Sequence, residues 1–90
     1  MRSKYEPLEL HLRAEPTARK ETTLSFRQIE EIIGYQLPES AFNYREWWSN
    51  QSDITNRPQA RAWINAGFLV DAVHQERTNG WVRFKRQQQA

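Results

Sequence analysis

Three groups of side chains carry the chemistry this chain can do. Ser40, Asn43 and Arg45 are followed closely by Trp47. Arg57 and Arg61 flank a proline. Trp81, Arg83 and Lys85 stand at alternate positions near the end. These are nucleic-acid-reading types. An arginine fork matches guanine or phosphate, an amide matches adenine bidentately, and an indole stacks on a base. The same types also cap helices and satisfy buried loops. For Asn50 and Gln59, which belong to the same polar set, that structural use is the favoured reading.

Catalytic or metal-dependent chemistry finds little support. The two histidines, His11 and His74, fall in different segments with no partner at metal-ligand spacing. Glu30 and Glu31 are adjacent, and adjacent residues of a helix diverge, so they read as a solvated face. The three glycines all sit at turn positions, which leaves no phosphate-cradling loop. Asp53, Asp71 and Glu76 with Lys85 make a nuclease-like set only on paper, because their spacing is not specific. The expectation is a non-enzyme without a cofactor or metal.

Ninety residues suffice for one domain, 1–90, with 1–3 and 87–90 frayed. Four Trp, four Phe and three Tyr supply large side chains for a modest core. The absence of cysteine excludes a disulfide scaffold. No apolar run approaches the roughly 20 residues of a membrane span, and the first residues lack a secretory core, so a cytoplasmic location is expected. The net charge of +2 conceals an asymmetry. Residues 1–56 carry seven basic and nine acidic side chains, net −2, and residues 57–90 carry six and two, net +4. Ten of the thirteen cations are arginine.

Local signals mark the elements that must position these groups. Glu6-Pro7 opens a helix with Leu8 and Leu12 on one face, and it ends before Pro16. Glu21–Leu24 is a short Thr-rich strand. Ser25 and Gln28 form a capping box, with Leu24 and Ile29 at staple positions. The helix that follows buries Phe26, Ile29, Ile32 and Ile33, and Gly34 stops it. Tyr35–Leu37 is the turn. Pro38 opens a second helix running to Trp48, with Ala41, Tyr44 and Trp48 on its core face. A polar loop over 49–57 leads to a helix from Pro58 to Gly67 with Ala60, Trp63, Ile64 and Ala66 inside.

Asn79-Gly80 predicts a two-residue hairpin turn between strands 68–78 and 81–86. That register sets Thr78 opposite Trp81, Glu76 opposite Arg83 and His74 opposite Lys85. Leu69, Val73, Val82 and Phe84 then face the core, and Trp81, Arg83 and Lys85 face away. The fold class is α+β and winged helix-turn-helix-like. It has three to four short helices, a small antiparallel sheet and a C-terminal β-hairpin wing. Two tryptophans stay open at this level. Trp47 is covered by the 49–57 loop or meets a partner; Trp81 packs on Thr78 or serves the wing.

The motifs Lys4-Tyr5-Glu6-Pro7-Leu8, Leu24 to Ala41, Trp47-Trp48-Ser49-Asn50 and Gln59 to Phe68 together resemble a small prokaryotic domain family of unknown function. The resemblance covers nearly the whole chain. It implies a shared fold, found alone or attached to larger prokaryotic proteins, and passes on no established activity. Relatives often carry a His before the Gln-Ala-x-Ala-Trp segment. Asn56-Arg57-Pro58 stands there instead, so no role of that His carries over.

Two functions follow as expectations. The first is a non-catalytic nucleic-acid-binding module acting on double-stranded DNA, with RNA as the other nucleic acid of matching chemistry. Ser40, Asn43 and Arg45 on the 38–48 helix would reach bases, and Arg57, Arg61, Arg83 and Lys85 would hold phosphates beside Trp81. The alternative is a protein-interaction module of a phage, defence or toxin–antitoxin system, anchored on Trp47 and Trp81.

Overall fold

The computed structural model of the protein describes residues 3–50 and 57–87. Four α-helices, α1 (Glu6–Arg13), α2 (Phe26–Ile33), α3 (Glu39–Asn43) and α4 (Pro58–Asn65), pack with strands β1 (Glu21–Ser25), β2 (Phe68–His74) and β3 (Trp81–Arg86). A 3-10 turn, Arg45–Trp48, follows α3. The sheet is antiparallel in the order β1-β3-β2, so the last strand lies between the other two. The chain is thus an α+β domain with a small three-stranded sheet.

Helix α2 forms where its local signals place it. The Ser25 hydroxyl accepts from the Gln28 amide at 3.0 Å, and the Gln28 side chain accepts from the Ser25 N–H at 2.8 Å. Both bonds satisfy donors that a helix start otherwise leaves open. Gly34 ends the helix at φ 76°, ψ 16°, a left-handed conformation that costs glycine little. Pro7 and Pro58 stand in the first turns of α1 and α4, as expected. Glu30 is not simply solvated. Its carboxylate accepts from the Leu37 N–H at 2.8 Å and ties the turn back to α2. The sequence reading missed this because the bond joins residues seven apart.

The helix expected over 38–48 is broken. Tyr44 is extended at φ −124°, ψ 120°, and it separates α3 from the 3-10 turn. Tyr44 leaves the core as a result and is 58% exposed. Trp48 stays inside at 2%. The break re-aims Trp48 so that its indole N–H donates to the Ala41 carbonyl at 2.8 Å. Two side chains take the place of helix continuation, since Gln75 Nε2 also donates to the Ala41 and Tyr44 carbonyls, at 3.0 and 2.9 Å.

The hairpin register also departs from expectation. His74 pairs with Trp81, Val73 with Val82, Ala72 with Arg83, Val70 with Phe84 and Leu69 with Lys85. Residues 75–80 form the connection, in place of a two-residue turn. Gly80 lacks the positive φ that such a turn requires, unlike Gly34 and Gly67. Its carbonyl instead accepts from the Phe26 N–H at 2.9 Å at the start of α2. A bulge at Asp71 shifts the alternation of β2. Phe68, Val70 and Val73 therefore turn inward, and Leu69 joins the row of Lys85 and Glu21 on the outer face. Val82 and Phe84 face the core as expected, with Trp81, Arg83 and Lys85 opposite.

The core is organised around a chain of aromatic rings. Phe42 meets Phe26 edge-on, Phe26 stacks on Trp48 (5.2 Å, 7°), Trp48 stacks on Trp63 (5.8 Å, 19°), and Trp63 meets Phe84. This ladder crosses from α2 to the sheet through the 3-10 turn and α4. It sets the outward faces of α3 and the hairpin.

Candidate nucleic-acid interface

The residues that could touch a nucleic acid fall in three places. The first is the exposed end of α3. Asn43 and Arg45 are exposed, with Ser40 half-buried on the same short helix as Asn43. Neither the Asn43 amide nor the Arg45 guanidinium has a partner among the described residues. The hairpin loop lies directly against this helix. Gln75 holds the α3 carbonyls, the Arg77 guanidinium covers the Phe42 ring at 4.7 Å, and Arg77 pairs with Glu39. The loop and α3 therefore form one continuous surface.

The second place is the outer face of the sheet. Trp81, Arg83 and Lys85 line up there about 7 Å apart, the repeat of alternate strand positions. Trp81 is half-buried and stacks on His74 at 5.9 Å, and His74 Nε2 lies 3.0 Å from Glu76 Oε2. Thr78, the neighbour expected from sequence, is not the residue across the ladder. Arg83 Nε donates to Asp71 Oδ2 at 2.8 Å, so the bulge residue holds its charge in place. Lys85 is exposed and makes no ion pair among the described residues.

In the third place the residues serve structure. Trp47 is half-buried, edge-on to both Trp48 (4.6 Å) and Tyr5 (6.0 Å). The loop proposed to cover it falls largely on residues 51–56, outside the described residues, and the observed cover is the Tyr5 ring. Burial pushes the Tyr5 phenol above its ordinary pKa. Arg57 Nη1 donates to the Glu46 carbonyl at 2.6 Å, and Gln59 Nε2 to the Trp47 carbonyl at 3.3 Å. Together they close the 3-10 turn onto α4. Arg61 is exposed on α4 beside Ser3, Tyr5, Glu6 and Glu9, and it is engaged by neighbouring groups.

Asn50 shows why a polar side chain between tryptophans was ambiguous in sequence. Its Oδ1 accepts from Trp63 Nε1 at 3.0 Å and from the Val70 N–H at 2.8 Å, while its Nδ2 donates to the Val70 carbonyl at 2.8 Å. The amide acts as a one-residue strand on the free edge of β2 and also satisfies the buried Trp63 indole. Asn50→Ala should cost about 2–3 kcal/mol, since it orphans a buried donor. Asn50→Asp should cost at least as much at neutral pH, because an oxygen then faces the Val70 carbonyl. Urea unfolding at unchanged slope checks both, and a loss below about 0.5 kcal/mol would sink the assignment.

The residues of the nuclease-like set that the structure describes have partners of their own or stand apart from them. Asp71 is paired with Arg83, Glu76 with His74 and Asn79, and Asp53 lies outside the described residues. Among the described residues no cluster of His, Asp and Glu is placed to hold a metal ion. Among the described residues no helix is long and apolar enough to cross a membrane.

Residues 5–87 match the family described as a domain of unknown function, DUF7662. The chain belongs to that family. The match spans every element from α1 to β3, so the aromatic ladder, the Gly34 turn and the Asn50 clamp all lie within the matched region. No curated protein and no solved structure matches the chain.

Proposed function

We propose that this domain is a winged-helix-like, non-catalytic nucleic-acid-binding module that acts on double-stranded DNA. The docking of the hairpin loop on α3 carries this reading. A reader of duplex DNA needs a helix end presenting free amide and guanidinium groups, together with a flanking element bearing cations. Here the Gln75 and Arg77 contacts join the two into one surface. The element order supports the same reading. Helices α2 and α3 are joined by the Gly34 turn, and a strand pair follows α4, with β1 completing the sheet.

Asn43, with Ser40, contacts base edges; Arg45, Arg61, Arg83 and Lys85 contact phosphates. Trp81 flanks the hairpin contacts. Base-edge contacts select sequence, and phosphate contacts supply affinity. Arg57 and Trp47 support the interface from behind, since one closes the 3-10 turn and the other packs on Tyr5. A protein partner anchored on Trp47 and Trp81 has weaker support, because both rings are already half-covered by Tyr5, Trp48 and His74. A cytoplasmic prokaryotic setting completes the proposal.

With about four phosphates engaged, log K against log salt should fall with a slope near −3.6 on B-DNA. Replacing Lys85 and Arg83 by Ala should weaken binding uniformly across sequences and flatten the slope by about 2. Replacing Asn43 by Ala should change sequence preference at nearly constant slope. Fluorescence polarisation over a salt series measures all three. The absence of duplex binding at micromolar protein, or binding indifferent to salt, would overturn the reading.

A further inference from the structure

Tyr44 is the large aromatic side chain that the break after α3 turns out of the core. At 58% exposed it is one of three exposed large hydrophobic residues among the described residues, with Leu10 on α1 and Tyr35 in the turn after α2. Its backbone is held on both sides. The Tyr44 N–H donates to the Ser40 carbonyl at 2.9 Å, and its own carbonyl accepts from the Trp47 N–H at 3.2 Å and from Gln75 Nε2 at 2.9 Å. An exposed ring on a backbone fixed by three hydrogen bonds loses little freedom when a planar ligand settles on it.

The neighbours of Tyr44 define the ligand. Asn43 and Arg45 flank it in sequence, both exposed and without a side-chain partner among the described residues. The amide of Asn43 and the guanidinium of Arg45, carried by the residues on either side, are the types that meet a base edge and a phosphate, so a strand whose base stacks on the ring passes within reach of both. A protein hot spot instead needs an apolar surround that excludes water. Here the adjoining groups are polar. Glu39 is paired with Arg77. Glu46, next to Arg45 in the 3-10 turn, is exposed as well and is the one acidic side chain of residues 43–46.

We propose that Tyr44 is a stacking platform for an unpaired base, and that the domain therefore prefers duplex DNA ending in a single-stranded overhang to blunt duplex. This inference rests on the DNA-binding reading and extends it, because stacking on Tyr44 requires a base face that an intact duplex does not offer. An overhang of a few nucleotides supplies that face next to the duplex that α3 and the hairpin engage.

The test uses the full chain, with a blunt duplex and the same duplex extended by a short thymine overhang, both labelled for polarisation. The wild type is expected to bind the overhang substrate about tenfold more tightly, the size of one base stacked on an aromatic ring. Tyr44→Ala should remove that advantage and leave blunt-duplex affinity within about twofold. Tyr44→Trp should restore the advantage. The side chain is exposed, and its backbone bonds survive substitution, so thermal midpoints should match and exclude unfolding as the cause. Equal affinity for both substrates in the wild type, or an advantage retained in Tyr44→Ala, overturns the platform while leaving blunt-duplex binding intact. Binding to neither substrate overturns both readings together.

Discussion

Gly80→Ala is expected to destabilise the domain by about 3 kcal/mol or more, enough to remove much of the stability of a chain this size. The cause is contact. A methyl group built on Gly80 overlaps the Glu76 carbonyl oxygen and two carbons of the Phe26 ring. The carbonyl is backbone. The ring is buried in the aromatic ladder against Trp48 and Phe42, so neither neighbour can yield cheaply. Gly80 also accepts from the Phe26 N–H, which fastens the hairpin to the first residue of α2. Displacing one end therefore displaces the other. Gly34→Ala is the contrasting case. Its φ is positive at 76°, yet nothing lies within 4 Å of an added methyl, so the cost should stay near the 1–2 kcal/mol of a left-handed alanine.

Asparagine separates the two explanations. A residue needed only for positive φ tolerates Asn well, so Gly34→Asn should be mild. Gly80→Asn should be as damaging as Gly80→Ala, because the obstacle is the first side-chain carbon. Chemical denaturation of the four variants decides the matter. A mild Gly80→Asn would mean that the turn is of the two-residue type after all.

Trp48→Ala is expected to cost about 3–5 kcal/mol, the range for removing a large buried aromatic. Trp48 links two halves of the ladder, stacked on Phe26 from α2 and on Trp63 from α4. Its loss leaves a cavity that separates the helices from the sheet. Trp48→Phe should cost much less, about 1–2 kcal/mol. The stacking survives in part, and the Ala41 carbonyl keeps its second donor, Gln75 Nε2. Adding Gln75→Ala to Trp48→Phe removes both donors from that carbonyl. The double variant should then lose more than the sum of the singles. Strict additivity would show that the two bonds are independent and that the break after α3 is held by packing alone.

These two residues also show how much of the molecule the chain announces. Trp48 was legible as core because it follows Ala41 at a helical spacing, and it is core. The spacing was right for a reason that proved incomplete, since Tyr44 on the same stripe faces solvent. Periodicity describes a continuous helix, and this one stops at Asn43. Gly80 was legible as essential to the hairpin, but for a conformational reason where the operative one is steric. A close approach to Phe26, fifty-four positions earlier, leaves no local trace.

The candidate interface divides in the same way. Asn43, Arg45 and Lys85 were readable from residue type and stand exposed. Arg57 and Trp47 were readable by the same criterion, yet they hold Glu46 and Tyr5. Type alone cannot separate an arginine that awaits a phosphate from one that satisfies a carbonyl, because both uses draw on the same donors. Tyr44 was missed because the reading that assigned it to the core depended on the helix that breaks.

The sequence by itself determined the features whose partners lie within one turn of the chain. The Ser25–Gln28 capping box, the Gly34 and Gly67 stops and the proline openings of α1 and α4 each involve residues at most four positions apart. Tertiary structure alone decided the strand register, the Asp71 bulge, the break at Tyr44 and the Asn50 clamp on β2. Each of these depends on contacts between residues seven or more positions apart, such as Trp48 with Ala41, Asn50 with Val70, Gln75 with Ala41 and Gly80 with Phe26. Such contacts are selected by how an aromatic core of fixed volume can close. No short window of sequence contains that information.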